Sequence, residues 1–334
     1  MIRRPFPVQD STHSGEALAA RVLSRYRLGG PVTCRFFRKS ACDTYKVEAG
    51  HQQYYLKVYR FGRRTRKDVT EEVRLLNYLD RHGVSVARAV MRQDGLYVNR
   101  LAAPEGTRYA VLFEAAQGVA GDGDQDNRIR AYGEMVARMH HIADRMRDPY
   151  SRSPLDMRHL VDDNVAAIAP RMAHREADLD LIHRVAQECK TRIGRWVGTS
   201  KPQYGICHGD LHGGDVCYDT CNRPVLFDFD SSGYGWRALD IGVFLASHKW
   251  MDVTREAEDR RQRRLATFLE GYSRIRKLGR QELSAVQLGP PVRHIYLMGF
   301  VLRYTTVYEG EHWADEHFID WHMEWFQHWA ERNL

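Results

Sequence analysis

Two short stretches late in the chain constrain it more than any other feature. One reads Cys207-His208-Gly209-Asp210-Leu211-His212-Gly213-Gly214-Asp215, the other Val225-Leu226-Phe227-Asp228-Phe229-Asp230. Apolar, β-like runs at 204–207 and 225–227 each deliver an aspartate close to where they end. Between the motifs lie a glycine-rich turn and a short hairpin around 219–224, which returns Asp228 close to Asp210. Two carboxylates at adjacent strand ends suit a division of labour. One takes a proton from an attacking hydroxyl, and the other holds Mg²⁺ on a nucleotide. The bland alternative, chance loop acids beside ordinary core strands, must account for two motifs in this order and spacing.

The pair resembles the H-G-D-L-H-x-G-N and D-F-D motifs of the aminoglycoside phosphotransferase and choline-kinase-like superfamily. That superfamily includes homoserine kinases and a bacterial stress-response protein kinase. The resemblance covers nearly the whole chain and implies an α+β, bilobal protein-kinase-like fold. A small N-lobe over 1–115 would carry an antiparallel sheet plus a helix, and a larger, mainly helical C-lobe would span 116–334. It also implies site roles. Asp210 is the catalytic residue that orients or accepts the acceptor proton, and Asp228 chelates Mg²⁺. Asp230 is a second metal-binding acid, and His208 braces the loop. Asp240, at the end of Gly233-Tyr234-Gly235-Trp236-Arg237-Ala238-Leu239-Asp240, braces that loop from behind, with capping of its own helix as the plain alternative. The main departure is Asp215, which stands where the family has Asn. A carboxylate still suits a hard cation, so Asp215 is retained as a metal ligand.

The front of the chain supports the same reading. A short amphipathic helix is expected over 14–26, strands over 32–37, 44–48 and 54–59, and further strand-like segments at 96–99 and 109–113. Tyr54-Tyr55-Leu56-Lys57-Val58-Tyr59 puts one lysine inside an apolar strand, where an ammonium is costly unless paired. The helix expected over 69–81 opens with Glu71 and Glu72, and Glu72-Val73-Arg74-Leu75-Leu76 fits the family's Glu-Ala-x-Leu-Leu. By resemblance Lys57 grips the ATP phosphates and Glu72 orients it. A snorkelling lysine and a helix-start glutamate are the structural alternative. The stretch 38–43, where a kinase places its phosphate-covering loop, has no glycine. Cys42-Asp43-Thr44-Tyr45 there lacks the Asn of the family's N-D-T-Y. Phe113-Glu114-Ala115-Ala116-Gln117-Gly118 corresponds to the hinge, whose backbone at Phe113 and Ala115 would bond the adenine edge.

Composition bounds the rest. No apolar run is long enough to span a membrane, and Met1-Ile2-Arg3-Arg4-Pro5 lacks the apolar segment of a signal peptide, so a cytoplasmic enzyme is expected. Six cysteines without a CxxC pair read as reduced thiols. Zinc on Cys207, Cys217 and Cys221 is the weaker alternative to small apolar fillers. The net charge of +7 is uneven. Residues 1–116 hold 21 Lys and Arg against 11 Asp and Glu, and the remainder 29 against 32. A basic front fits phosphate, and an acidic rear leans toward a cationic acceptor. The run Arg60, Arg63, Arg64, Arg66 and Lys67 reads as a solvated loop and helix start, so no nucleic-acid partner is expected.

Helices are expected from Arg130 onward, over 160–169, 178–197, 256–272 and 292–308, with an aromatic tail from His312 to Trp329 packed as core. Met139, His140 and His141 are expected to pack and cap, and His312, His317, His322 and His328 form no ligand set. The leading function is transfer of the γ-phosphate of ATP to a small-molecule hydroxyl. A protein Ser/Thr kinase and a non-catalytic nucleotide-binding module are the alternatives, and the chain is expected as a monomer or homodimer.

Overall fold

The computed structural model describes residues 6–121, 124–305, 310 and 314–334. Expectations that fall on Met1 to Pro5, on Asp122 and Gly123, on 306–308, and on His312 and Trp313 lie outside the described residues. The chain divides into two units, one ending at Gln117 and the other beginning at Gly118, where the sequence reading sets the boundary after 115.

In the first unit, alternation of side chains along extended segments sets the architecture. Strands β1 (Val32–Lys39), β2 (Cys42–Ala49), β3 (Gln52–Tyr59), β4 (Asn99–Ala103) and β5 (Gly106–Glu114) form an antiparallel sheet of order β1-β2-β3-β5-β4. Tyr45, Val47, Leu56, Val58, Ala110 and Leu112 are fully buried and share one core with Leu18, Val22 and Leu23. The first of those three belongs to helix α1 (Gly15–Arg21), capped by the Ser14 hydroxyl, and Leu23 opens a 3₁₀ turn. Because β3 alternates, Lys57 and Tyr59 point away from the Leu56 and Val58 side. Helix α2 (Arg66–Arg81) meets them there, its start fixed by a Thr65–Asp68 capping box.

The strand expected at 96–99 begins only at Asn99. Leu96 belongs to a turn instead, with the Arg92 and Leu96 backbones bonded at 2.8 Å and Gly95 at φ 81°. The phosphate-loop candidate is a hairpin turn so tight that Cys42 and Asp43 already belong to β2. Asp43 is wholly buried there, 2.7 Å from the Arg108 guanidinium and 3.4 Å from Arg60. Asp10 joins the cluster at 2.6 Å from Arg60. Arg60 is 1 % exposed, so the reading of the basic run as solvated fails at its first member. Sequence alone hides this, because the acids that neutralise Arg60 lie at positions 10 and 43.

The second unit is built on helices with two small sheets inserted. Helix α3 (Asp126–Ala143) starts four residues before Arg130 and is followed by a π turn and α4 (Asp163–Ile168), then α5 (Glu176–Trp196). The sheets comprise β6 (Val119–Ala120), β7 (Tyr204–Cys207), β8 (Val216–Tyr218), β9 (Pro224–Leu226) and β10 (Gly233–Trp236). After them come α6 (Arg237–Ser247), α7 (Arg255–Tyr272), α8 (Arg280–Val286), α9 (Gly289–Phe300) and α10 (Glu316–Asn333). Helix α8 has no counterpart in the sequence reading, and α9 starts earlier than expected because Pro290 and Pro291 suit a first helical turn. In the tail His322, Trp325, Phe326 and Trp329 are buried as core, while Trp321 is half exposed. Helices α3 and α7 approach so closely that a Cβ on Gly133 would lie 1.9 Å from the Phe268 carbonyl oxygen. This approach brings Tyr272 to His140.

Arg108 donates to the carbonyls of Tyr59, Ser11 and Val58 besides Asp43, so its removal leaves three carbonyls short of a donor and takes from a buried carboxylate its nearer cation. Arg108→Ala is expected to lower unfolding free energy by about 3–5 kcal/mol. Urea denaturation of the purified variant measures this, and a change within about 0.5 kcal/mol, the range of ordinary surface substitutions, would show that the cluster does not hold the sheet.

Candidate active site

The site in the second unit is assembled from loops that leave short strands. Strand β7 pairs with β10, whereas β9 pairs with β8 and β8 with β6. The expectation that Asp210 and Asp228 end adjacent strands is therefore corrected, since β7 and β9 belong to different sheets. The error came from reading two strands where the region holds four, with β8 and β10 each too short to show a period. The acid on the partner side of the β8–β9 hairpin is Asp215, which lies opposite Phe227, one residue before Asp228. It immediately precedes β8, Asp228 comes just after β9, and the Phe227 amide donates to the Asp215 carbonyl at 3.1 Å.

Asp240 ties the β7 side into place. Its carboxylate accepts the amide of His208 at 2.9 Å and that of Gly209 at 2.8 Å. It does not cap α6, whose N-cap position is Trp236. His140 Nε2 lies 3.0 Å from the same carboxylate, and His140 Nδ1 lies 2.9 Å from the Tyr272 hydroxyl, which in turn accepts from Arg276 at 2.9 Å. Burial pushes His140 down to about 4 and Tyr272 up to about 12, so a neutral imidazole and a protonated phenol stand behind Asp240. The order of donation is then fixed: Tyr272 donates to Nδ1, and Nε2–H donates to Asp240. Burial works against the Asp240 anion, but the His140 hydrogen bond and the loop amides outweigh it and keep the carboxyl below its ordinary value. His140, expected to pack or cap, is thus the link between helix α3 and the loop; its place at helical spacing gave no sign of this.

His208 joins the two motifs. Its Nε2 donates to the Phe227 carbonyl at 2.9 Å, its Nδ1 accepts the Asp210 amide at 3.3 Å, and its ring lies 4.4 Å from that of Phe229. Gly209 has φ 83°, and a Cβ there would sit 2.2 Å from the Ser231 carbonyl oxygen, so the loop requires glycine at this position. Asp228 is itself left-handed, with φ 63° and ψ 57°. An aspartate held there carries about 1–3 kcal/mol of local strain.

Asp210, His212 and Asp215 offer ligand atoms that all lie within 4.8 Å of one another. His212 Nε2 is 3.3 Å from Asp215 and 3.8 Å from Asp210. Burial lowers the His212 pKa, while the negative charges of Asp210 and Asp228 both pull it upward. A cluster of carboxylate oxygens is the donor set that a hard divalent ion takes, so the residues present fit Mg²⁺. Asp230 is buried, with Arg152 3.7 Å from its carboxylate and bonded to the carbonyls of Phe229 and Asp230. Cys217 and Cys221 enter no metal-like cluster among the described residues; Cys207 does, with His140 and Asp240.

Glu71 and Glu72, expected to open their helix, lie inside α2 because it starts at Arg66; Glu71 pairs with Arg74 at 2.7 Å, and Glu72 faces the sheet. Glu72 is 1 % exposed, accepts the Tyr59 hydroxyl at 2.9 Å and lies 3.7 Å from Lys57 Nζ. The Lys57 ammonium also sits 5.6 Å from the Phe113 ring centroid. Phe113 and Ala115 close β5 and the segment after it, and the Ala115 amide donates to the Gln53 carbonyl at 3.1 Å. Sequence reasoning missed Arg293 of α9, which donates to Asp210 Oδ1 at 2.6 Å. No motif marks it, since an arginine in an apolar helix reads as a surface residue.

The profile of the phosphotransferase enzyme family matches residues 33–278, and the chain belongs to that family. It is a phosphotransferase of the kinase type. An uncharacterised protein of Synechocystis is 34% identical over 284 residues, which cover 84% of this chain and 76% of that one. Among solved structures, a microcompartment-associated aminopropanol kinase superposes with a TM-score of 0.77 at 20% identity, covering 95% of this chain and 98% of that one. An amicoumacin kinase in complex with AMP-PNP, Ca²⁺ and Ami gives a TM-score of 0.71 at 22% identity and 94% coverage of each chain. These likenesses establish the protein-kinase-like fold. No helix among the described residues is long and apolar enough to cross a membrane.

Gly209→Ala is expected to lower the melting temperature and to abolish most phosphotransfer, because the loop must shift to free the Ser231 carbonyl. Wild-type melting together with wild-type turnover would remove this glycine from the argument. A second expectation concerns acid. His140 is neutral when folded and has an ordinary value of 6.5 when unfolded, so the unfolded chain takes up its proton first. The stability this contributes is complete above the unfolded value and is lost as pH falls from there toward about 4, by about 1.4 kcal/mol per unit. His322, pushed down to about 3 by burial, adds in the same direction. Urea midpoints measured from pH 7.5 down to 5 should fall; a flat profile would contradict the buried neutral state.

Proposed function

We propose that this protein transfers the γ-phosphoryl group of ATP to a hydroxyl of a small molecule, with Mg²⁺ as cofactor. The observation that supports the reading is the cluster of Asp210, His212 and Asp215, with ligand atoms within 4.8 Å of one another, beside a loop that Asp240 and His208 tie to backbone amides and to the Phe227 carbonyl that precedes Asp228. Such catalysis asks little covalent work of the protein and rests on positioning and charge neutralisation.

Asp210 orients the acceptor hydroxyl and receives its proton as the oxygen bonds to the γ-phosphorus. The bond from that phosphorus to the bridging oxygen breaks, and ADP departs with the electron pair. Asp228 and Asp215 are assigned to Mg²⁺, and Asp230, 3.7 Å from Arg152, would be a further acid for the ion. When bound, the ion neutralises phosphate charge. Asp215, in place of the family's Asn, brings one more negative charge to that set. Lys57, oriented by Glu72, is assigned to the phosphates. Phe113 and Ala115 are assigned to the adenine edge through their backbone, with the carbonyl of Ala115 as its contact, since its amide already serves Gln53. Dependence on ATP carries with it a cytoplasmic setting.

Asp210→Asn keeps the shape of the side chain and removes its capacity to take a proton. It is expected to lower kcat by about 10²–10⁴-fold while Mg-ATP binding by thermal shift stays at the wild-type level. Incubation with γ-labelled ATP and a panel of alcohols separates the alternatives: label on a small molecule supports the reading, label on protein favours a protein kinase, and no transfer at all favours a binding module. Normal turnover by the Asn variant would remove Asp210 as the base.

A further inference from the structure

The residue that most needs an explanation is Arg293. Its guanidinium, mostly buried, donates to Asp210 Oδ1 at 2.6 Å and lies 5.6 Å from the Tyr296 ring centroid. An arginine cannot give up its charge, so a permanent cation stands at the carboxylate that must meet the acceptor. A cationic acceptor, toward which the acidic second half of the sequence leans, would bring like charge to that point. An acceptor bearing a carboxylate would be repelled there by Asp210, His212's acidic neighbour Asp215 and the nucleotide phosphates, unless a cation received it. Arg293 supplies that cation in a planar fork that matches a carboxylate.

Beside it lies a small cavity of about 30 Å³, walled by Leu155, Leu160, Trp236, Leu239 and Val292, with Arg293 and Tyr296 among its lining residues. Most of its wall is apolar, Asp240, Arg293 and Tyr296 being the polar side chains that also line it, and its size suits a methyl or methylene group. Charge and shape therefore agree on a short hydroxylated carboxylate in which one small apolar group enters the cavity.

We propose that Arg293 selects the acceptor: this kinase phosphorylates small hydroxylated carboxylates, and Arg293 exchanges Asp210 for the carboxylate of the acceptor as it binds. The proposal rests on the phosphotransfer reading above and adds the acceptor class to it. In this exchange Asp210 gives up its hydrogen bond to Arg293 and is free to bond the arriving hydroxyl.

The test uses the full chain with Mg-ATP and three acceptors of matched length: 4-hydroxybutyrate, its neutral amide, and the cation of 4-amino-1-butanol. ADP release is measured and the product identified by phosphorus NMR. The expected kcat/KM for the hydroxy acid exceeds that for the amide by about 10- to 100-fold, the range of a hydrogen-bonded charge contact. Arg293→Met should erase this preference chiefly through KM, and Arg293→Lys should retain part of it; circular dichroism and Mg-ATP thermal shift establish that both variants are folded. Equal use of acid and amide, preference for the amine, or an Arg293→Met effect of the same factor on all three acceptors would overturn the proposal while leaving the kinase reading intact. Turnover of none of the three by a protein that binds Mg-ATP would also overturn it. Failure to bind Mg-ATP at all would instead sink the phosphotransfer reading.

Discussion

The catalytic loop depends on one buried carboxylate. Asp240 receives two consecutive backbone amides, those of His208 and Gly209, and so fixes the direction in which the next residue, Asp210, leaves β7. An anion wholly enclosed by protein survives only when its lone pairs are filled. The two amides and the His140 imidazole do this, and Tyr272 and Arg276 continue the chain of donors behind. Helices α3, α6 and α7 thereby converge on a single group, and the position of the proposed base follows from the packing of three helices rather than from its own loop.

The first unit obeys a similar logic with opposite emphasis. Arg60 and Arg108, each fully buried, are neutralised by Asp43 and Asp10, and this cluster occupies the turn region where a nucleotide-covering loop was expected. Asp43 is therefore engaged in holding the sheet together. The Lys57–Glu72 pair lies on the other side of β3, where strand alternation points it at α2.

The two motifs and the antiparallel front sheet were legible because each shows in a local pattern, fixed spacing or a period of two, whereas the choice of Glu72 over Glu71 came from the resemblance to the family's Glu-Ala-x-Leu-Leu. What stayed hidden has no local pattern. Strands β8 and β10 are too short for periodicity, so the neighbour of Asp228 was misassigned. Arg60 reads as solvent-facing because its partners are distant in sequence. His140 and Arg293 sit on helices whose spacing announces only packing, and their partners, Asp240 and Asp210, become visible only when helices that are remote in the chain come together.

The left-handed backbone of Asp228 carries a final implication. A glycine would occupy that conformation without the penalty an aspartate meets, so the carboxylate there is retained against the conformational preference of its own residue. Robustness and activity pull in opposite directions at this position. Replacing the acid with glycine would relax the backbone and remove the carboxylate in one step, so any gain in backbone freedom here comes with a loss of charge at the site.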